Sequence, residues 1–169
     1  QSELAQRKKL HEEISRIAFQ DALTGLQNRA SLMARLEEEL RPQQSALRNG
    51  SIFFVDLDDL KSINDNFGHF AGDTIIIASG QKLSETLAHY NAFIARLGGD
   101  EFIALLPGCV DPTELSRLAD LLVQTLCHDY LLATTTVRVS GSIGIASYPR
   151  DGASVEELIK KADNAMYAA

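Results

Sequence analysis

In Ala92-Phe93-Ile94-Ala95-Arg96-Leu97-Gly98-Gly99-Asp100-Glu101-Phe102-Ile103-Ala104-Leu105-Leu106, two short β-rich runs, Ala92 to Arg96 and Glu101 to Leu106, flank a Gly-Gly pair. Two such runs around glycines predict a β-hairpin. Glycines at the tip admit positive φ and let a bulky ligand approach the backbone. An exposed turn needs only some polar residue, so the informative feature is that acid follows at once, as Asp100 and Glu101.

Upstream, Ser51 to Val55 is a continuous apolar, β-rich run bounded by Asn49-Gly50, which predicts a buried central strand. It ends in Asp56-Leu57-Asp58-Asp59, and strand alternation sends Asp56 and Asp58 to one face and Leu57 to the other. A carboxylate where a hydrophobic strand leaves the core suits a hard cation; a solvated acidic turn reads equally well from this feature alone. Lys61 to Asp73 reads as a dense polar loop leading into a helix over Gly72 to His89, with Ile76, Leu83 and Leu87 in its buried stripe. Within that loop Lys61 suits phosphate as a point charge. Asn64 and Asp73 suit a purine edge. A carboxylate accepts from guanine N1–H and the 2-amino group together, whereas adenine has no N1–H. His69 reads as a surface or turn residue, since no other His or Cys is spaced to join it as a ligand. Carboxylates for Mg²⁺, a glycine tip, a lysine and a guanine-suited pair point together to a guanine nucleoside triphosphate with magnesium.

The rest of the chain fills in one domain. Gln1 to Phe19 is helical in composition, with Leu10, Ile14 and Ile17 at 4,3 spacing, a seam that fades at Arg7 and Glu3. It reads either as the tail of a connecting helix or as a surface helix. Asp21 to Arg29 supplies a turn broken at Gly25, and a helix with Leu32, Met33, Leu36 and Leu40 ends before Pro42. Pro112 opens a helix carried by Leu115, Leu118, Leu122 and Leu126 to about His128. Thr134 to Val139 and Ser142 to Tyr148 read as strands, with Gly141 and Gly144 as bulges. Ser154 caps a last helix with an acidic first turn, running through Ala168. This order predicts a single α/β domain with a mixed central sheet flanked by helices.

Composition excludes several classes. The 169 residues are 45% apolar and 23% charged, which fits one globular domain and not a disordered or fibrous chain. Sixteen basic against 23 acidic residues give −7, the wrong sign for coating nucleic acid or an anionic membrane. Cys109 and Cys127 are too few for a disulfide framework and read as reduced thiols. No apolar run approaches a membrane span and the first residues are polar, so the expected setting is the cytoplasm, with any membrane tether elsewhere in the parent protein.

Arg96-Leu97-Gly98-Gly99-Asp100-Glu101-Phe102 resembles the name-giving motif of the GGDEF domains, the diguanylate cyclases. Asp21 to Arg29 resembles that family's D-x-L-T-G-L-x-N-R entry, and Asp56 to Asp73 its D-x-D-x-F-K-x-x-N-D-x-x-G-H-x-x-G-D stretch. Ser142 to Ala146, Tyr148-Pro149, Asp151-Gly152 and Ala162 to Tyr167 resemble its C-terminal signature. The resemblance implies a fold like the nucleotidyl cyclase and polymerase palm domains. It implies Mg²⁺ (or Mn²⁺) as cofactor, GTP as substrate, and a homodimer of facing domains making cyclic di-GMP. By the same resemblance Asp56, the carbonyl of Leu57, Asp100 and Glu101 would hold metal. Asp100 and Glu101 would be catalytic, with Asp100 helping to activate a 3′-hydroxyl. Asn64 and Asp73 would read guanine, Leu23 would pack on the base, Lys61 would approach phosphate, and Gly98 and Gly99 would line the substrate. Residues 1–20 would be a connecting, signalling helix, and 21–169 the domain proper within a larger protein. Leu60 stands where the family usually has Phe. His89-Tyr90-Asn91-Ala92 stands where many members carry an R-x-x-D product-inhibition site, so no inhibitory site is expected.

Overall fold

The computed structural model describes residues 2–42 and 48–168. Along the chain run α1 (Ser2–Phe19), α2 (Arg29–Leu40), β1 (Gly50–Leu57), α3 (Leu60–Phe67), α4 (His69–Thr86), β2 (Phe93–Gly98), β3 (Glu101–Pro107), α5 (Pro112–Leu126), β4 (His128–Leu132), β5 (Thr135–Val139), β6 (Gly141–Tyr148) and α6 (Val155–Tyr167). A 3₁₀ turn over Ala88–Tyr90 links α4 to β2.

β1 is central in a four-stranded sheet of order β2-β3-β1-β6. Its unbroken apolar run follows from having helices on both faces. Phe53, Val55 and Leu57 face a core built with α3, α4 and α5 through residues such as Ile63, Ile75, Leu83, Leu118 and Leu122. Ile52 and Phe54 face a second core with Leu32 and Leu36 of α2 and Leu158, Ala162 and Met166 of α6. The α/β class and the hairpin stand as expected, but the sheet is not mixed. All its ladders are antiparallel, and the parallel component is a single bridge between Gln27 and Ala95.

The other differences have local causes. The stretch expected to be a polar loop folds as α3 and the start of α4, broken only at Gly68 with φ 86°. Leu60 and Ile63 are buried and Phe67 packs beside them, so a 3,4 apolar spacing holds α3 despite its weak helix formers Asn64, Asp65 and Asn66. Gly141 and Gly144 are not bulges, since the β1–β6 register runs unbroken through Leu57/Gly141 and Phe54/Gly144. Gly144 is where α6 crosses the sheet: a Cβ there would overlap the Ala162 carbonyl and the Met166 amide. α5 stops at Leu126, and β4, absent from the sequence reading, pairs with β5 as a separate hairpin. Ala133 makes that turn at φ 55°, without the Asn or Gly that would announce it.

Ser154 caps α6 by accepting from the Glu157 amide (3.2 Å), as expected, and Asn28 and Asp111 cap α2 and α5 in the same way. α1 buries no residue, and Ile17 is 69% exposed. Among the described residues no helix is long and apolar enough to cross a membrane.

Candidate active site

The site forms where β1 leaves the core beside the β2–β3 hairpin. Pairing places Asp56 opposite Glu101 on one side and Ser142 on the other. The Leu57 amide donates to the Asp100 carbonyl at 3.1 Å, tying the strand end to the hairpin tip. Gly98 and Gly99 turn that tip with φ 138° and 52°, and the ladder slips between Arg96 and Gly98. Such a bulge re-aims the side chains that follow it. The Arg96 guanidinium steadies the tip, donating from Nε and Nη2 to the Gly99 carbonyl (3.0 and 2.8 Å) and from Nη1 to both Asp21 oxygens (3.1 and 3.2 Å).

Asp21 also accepts from the Thr24 amide (2.8 Å) and hydroxyl (2.7 Å). Burial works against its charge, but the Thr24 hydrogen bonds and the Arg96 guanidinium outweigh it and hold the carboxyl below its ordinary value.

The acids at the strand end are in different states. Asp58 is satisfied, accepting from Ser140 Oγ (2.6 Å) and Ser142 Oγ (2.7 Å). Asp56 is not: its Oδ1 is buried without a hydrogen-bond partner. Burial, then the charge and hydrogen bond of Asp100, then the charges of Glu101 and Asp58, push the Asp56 carboxyl up to about 7. Glu101 is also raised, first by burial and then by Asp100 and Asp163, with Arg29 opposing. Among the described residues no three acidic, His or Cys side chains are already grouped to hold a metal ion. What is assembled is a repelling carboxylate pair with an orphaned oxygen. That all-oxygen donor set fits a hard divalent cation, which would relieve both defects.

A second group lies on α3 and α4. Asn64 is partly buried against the buried Gly72, and its Oδ1 has no hydrogen-bond partner. Asp73 is exposed beside Gly72, and Lys61 is exposed on the first turn of α3 with no partner among the described residues. Leu23 is half-buried and packs against the α3–α5 core.

Residues 18–169 match the family described as "Diguanylate cyclase, GGDEF domain". The chain belongs to the GGDEF family. The GGDEF domain is 39% identical over 157 residues to the "Bifunctional diguanylate cyclase/cyclic di-GMP phosphodiesterase MucR" of Pseudomonas aeruginosa, covering 93% of this chain and 23% of that protein. It is 37% identical over 153 residues to the "Diguanylate cyclase TpbB" of the same species, covering 90% of this chain and 35% of that one. This chain therefore spans well under half the length of either relative. A crystal structure of a sensory box/GGDEF family protein from Caulobacter crescentus superposes with a TM-score of 0.80 at 35% identity, covering 90% of this chain and 97% of the other.

The GGDEF hairpin thus brings Asp56, Leu57, Gly98, Gly99, Asp100 and Glu101 together, while Asn64 on α3 lies against Gly72 next to Asp73 on α4, and Lys61 stands exposed one turn before Asn64. The sequence reading gave no role to Asp21, Arg96, Arg29 or Asp163. Arg96 and Asp21 are 75 positions apart, so only the fold discloses the pair. Both stand inside quoted motifs, which was the available signal.

Proposed function

We propose that this GGDEF domain is a diguanylate cyclase that condenses two GTP molecules into cyclic di-GMP and pyrophosphate. The reading rests above all on the buried, unpartnered Asp56 oxygen beside Asp100, an arrangement that is unfavourable alone and useful with a cation. Asp56, the Leu57 carbonyl, Asp100 and Glu101 would hold Mg²⁺ or Mn²⁺, which when bound neutralises charge on the attacking and leaving oxygens. Asn64 and Asp73 hold the guanine edge, Leu23 packs on the base, and Lys61 meets the phosphates. The glycine tip lets the nucleotide lie close to the backbone. Asp100 draws the proton from the 3′-hydroxyl of the bound GTP. That oxygen forms a bond to the α-phosphorus of the facing GTP, the bond to the β-phosphate oxygen breaks, and pyrophosphate leaves. The same step in the opposite sense closes the ring. One domain holds one GTP, so catalysis takes two copies face to face, and orientation of the two substrates supplies much of the rate.

Residues 1–20 serve as a connecting helix, consistent with an α1 that buries nothing, and residues 21–169 are the cyclase domain of a larger cytoplasmic signalling protein. The direct test is product formation from GTP and Mg²⁺ over a range of protein concentrations, with Asp100→Asn as control. Cyclic di-GMP that rises faster than linearly with protein and is lost in the variant supports a cyclase acting as a dimer. GTP binding without product supports a second reading, a regulatory GTP-binding domain acting on an attached phosphodiesterase, a pairing named in MucR.

A further inference from the structure

α3 and α4 meet with Asn64 lying across Gly72. A Cβ built on Gly72 would fall on the Asn64 side-chain oxygen, 2.8 Å from its Cγ and 3.2 Å from its Nδ2. A non-bonded oxygen keeps van der Waals distance from Cα, so Oδ1 lies outward along the direction a side chain at 72 would take. Glycine carries a hydrogen there. The buried oxygen has no hydrogen-bond partner, and its contact is this Cα–H, a weak donor. The amide nitrogen is not sealed in with it, and Asn64 as a whole remains partly exposed. Turning the amide over would press its NH₂ against the same C–H and bury donors that have no acceptor. Glycine inside a helix is disfavoured relative to alanine, and here the missing methyl is what gives the Asn64 amide its place.

We propose that Gly72 determines base specificity through Asn64, by seating the carboxamide oxygen-inward so that its NH₂ faces the ligand. Asp73, the next residue, accepts from base N–H donors, while Asn64 donates to a base acceptor. An acceptor beside two donors is the edge of guanine, and adenine offers a donor where Asn64 also donates. This deepens, and rests on, the reading that Asn64 and Asp73 hold the base. Gly72 is a positioning residue and touches no reacting atom.

The test is a calorimetric titration of the full chain in Mg²⁺ with non-hydrolysable GTP and ATP analogues, for wild type, Asn64→Ala, Gly72→Ala and the double variant. Each single change should weaken the GTP analogue about tenfold and lower its preference over the ATP analogue by a similar factor. The double variant should bind no worse than Asn64→Ala, because the shorter side chain makes room for the methyl and removes the group through which Gly72 acts. Wild-type affinity in Gly72→Ala beside a weakened Asn64→Ala overturns the inference alone, as does a further loss in the double variant. Unchanged affinity in Asn64→Ala sinks the base-reading assignment beneath it. Should Gly72→Ala fail to fold, the double variant decides. Folding restored by Asn64→Ala supports the seat, and a double variant that stays unfolded overturns it.

Discussion

Replacing Asp56 by Asn should make the metal-free domain more stable and, on the proposed reading, abolish cyclic di-GMP synthesis. In the folded chain the Asp56 carboxyl is raised from 3.8 to about 7, chiefly by burial and by Asp100. Well below its ordinary value of 3.8 the group is protonated in both folded and unfolded chains and costs nothing, and near pH 4 the cost is only beginning. As pH rises, the unfolded chain ionises first, so stability falls between about 4 and 7 and stays reduced above that. At about 1.4 kcal/mol for each tenfold change in proton concentration, the gap sets an upper bound of about 4 kcal/mol. Asp56 is only partly buried, and solvent screens much of that repulsion. Asp100 and Glu101 also still repel each other after the substitution. A gain of about 1–2 kcal/mol at pH 8 is the expected remainder, equivalent to roughly 2–8 °C in Tm.

The assay is urea unfolding of wild type and Asp56→Asn in EDTA at pH 8 and pH 4, repeated at pH 8 with Mg²⁺. Asparagine keeps the shape and removes the charge, so the variant should lead at pH 8 and match wild type at pH 4. Added Mg²⁺ should close the gap by stabilising wild type more than the variant, through preferential binding to the folded state. A variant no more stable than wild type at pH 8 refutes the charge-clash reasoning. An advantage that persists unchanged at pH 4 refutes it too, because the gain would then come from something other than ionisation.

Arg96→Ala removes the clamp between Asp21 and the Gly99 carbonyl; denaturant unfolding should show a loss of about 1–3 kcal/mol, with cyclic di-GMP synthesis falling by more than the folded fraction explains. Arg96→Lys should not restore synthesis, because an ammonium cannot reproduce the planar fork. Gly144→Ala should lower stability by about 1–3 kcal/mol in the same unfolding assay, since the new methyl meets the α6 backbone at Ala162 and Met166, which cannot swing aside as a side chain does. Cyclic di-GMP added at micromolar concentration should leave the initial rate unchanged, because His89 and Ala92 stand where a product-binding Arg and Asp would be needed; slowing of the rate in a progress assay would refute this.

The parts of the fold legible in the sequence are those held by short-range signals. β1 declares itself through its apolar run, and the hairpin through glycines between β-rich runs. α6 declares itself through Ser154 and the acids behind it. α3 was legible in principle, because Leu60, Ile63 and Phe67 keep a helical spacing, but five polar residues among them carry the stronger local message of a loop. β4 had no turn residue to mark it, since Ala133 adopts a left-handed conformation without the side chain that favours it. Direction of pairing was not legible either, because helices on both faces make an antiparallel central strand look like a parallel one.

The same division runs through the site. Individual carboxylates and glycines can be read from spacing, but what makes them a site is the relation between them. Leu57 bonds to the Asp100 backbone, Arg96 reaches the Gly99 carbonyl, and the bare Cα of Gly72 gives Asn64 its seat. In each case one member is a backbone group or an absent side chain, which leaves no trace in residue type at the partner's position. Asp56 carries the consequence furthest. The burial and pairing that bring Asp100 beside it leave an oxygen unsatisfied and a charge opposed, so the fold carries a local cost at the point where a cation would serve it. On the proposed reading, asparagine at this position would relieve the clash and forfeit the cation, whereas the aspartate accepts a cost in stability that a bound positive charge would offset.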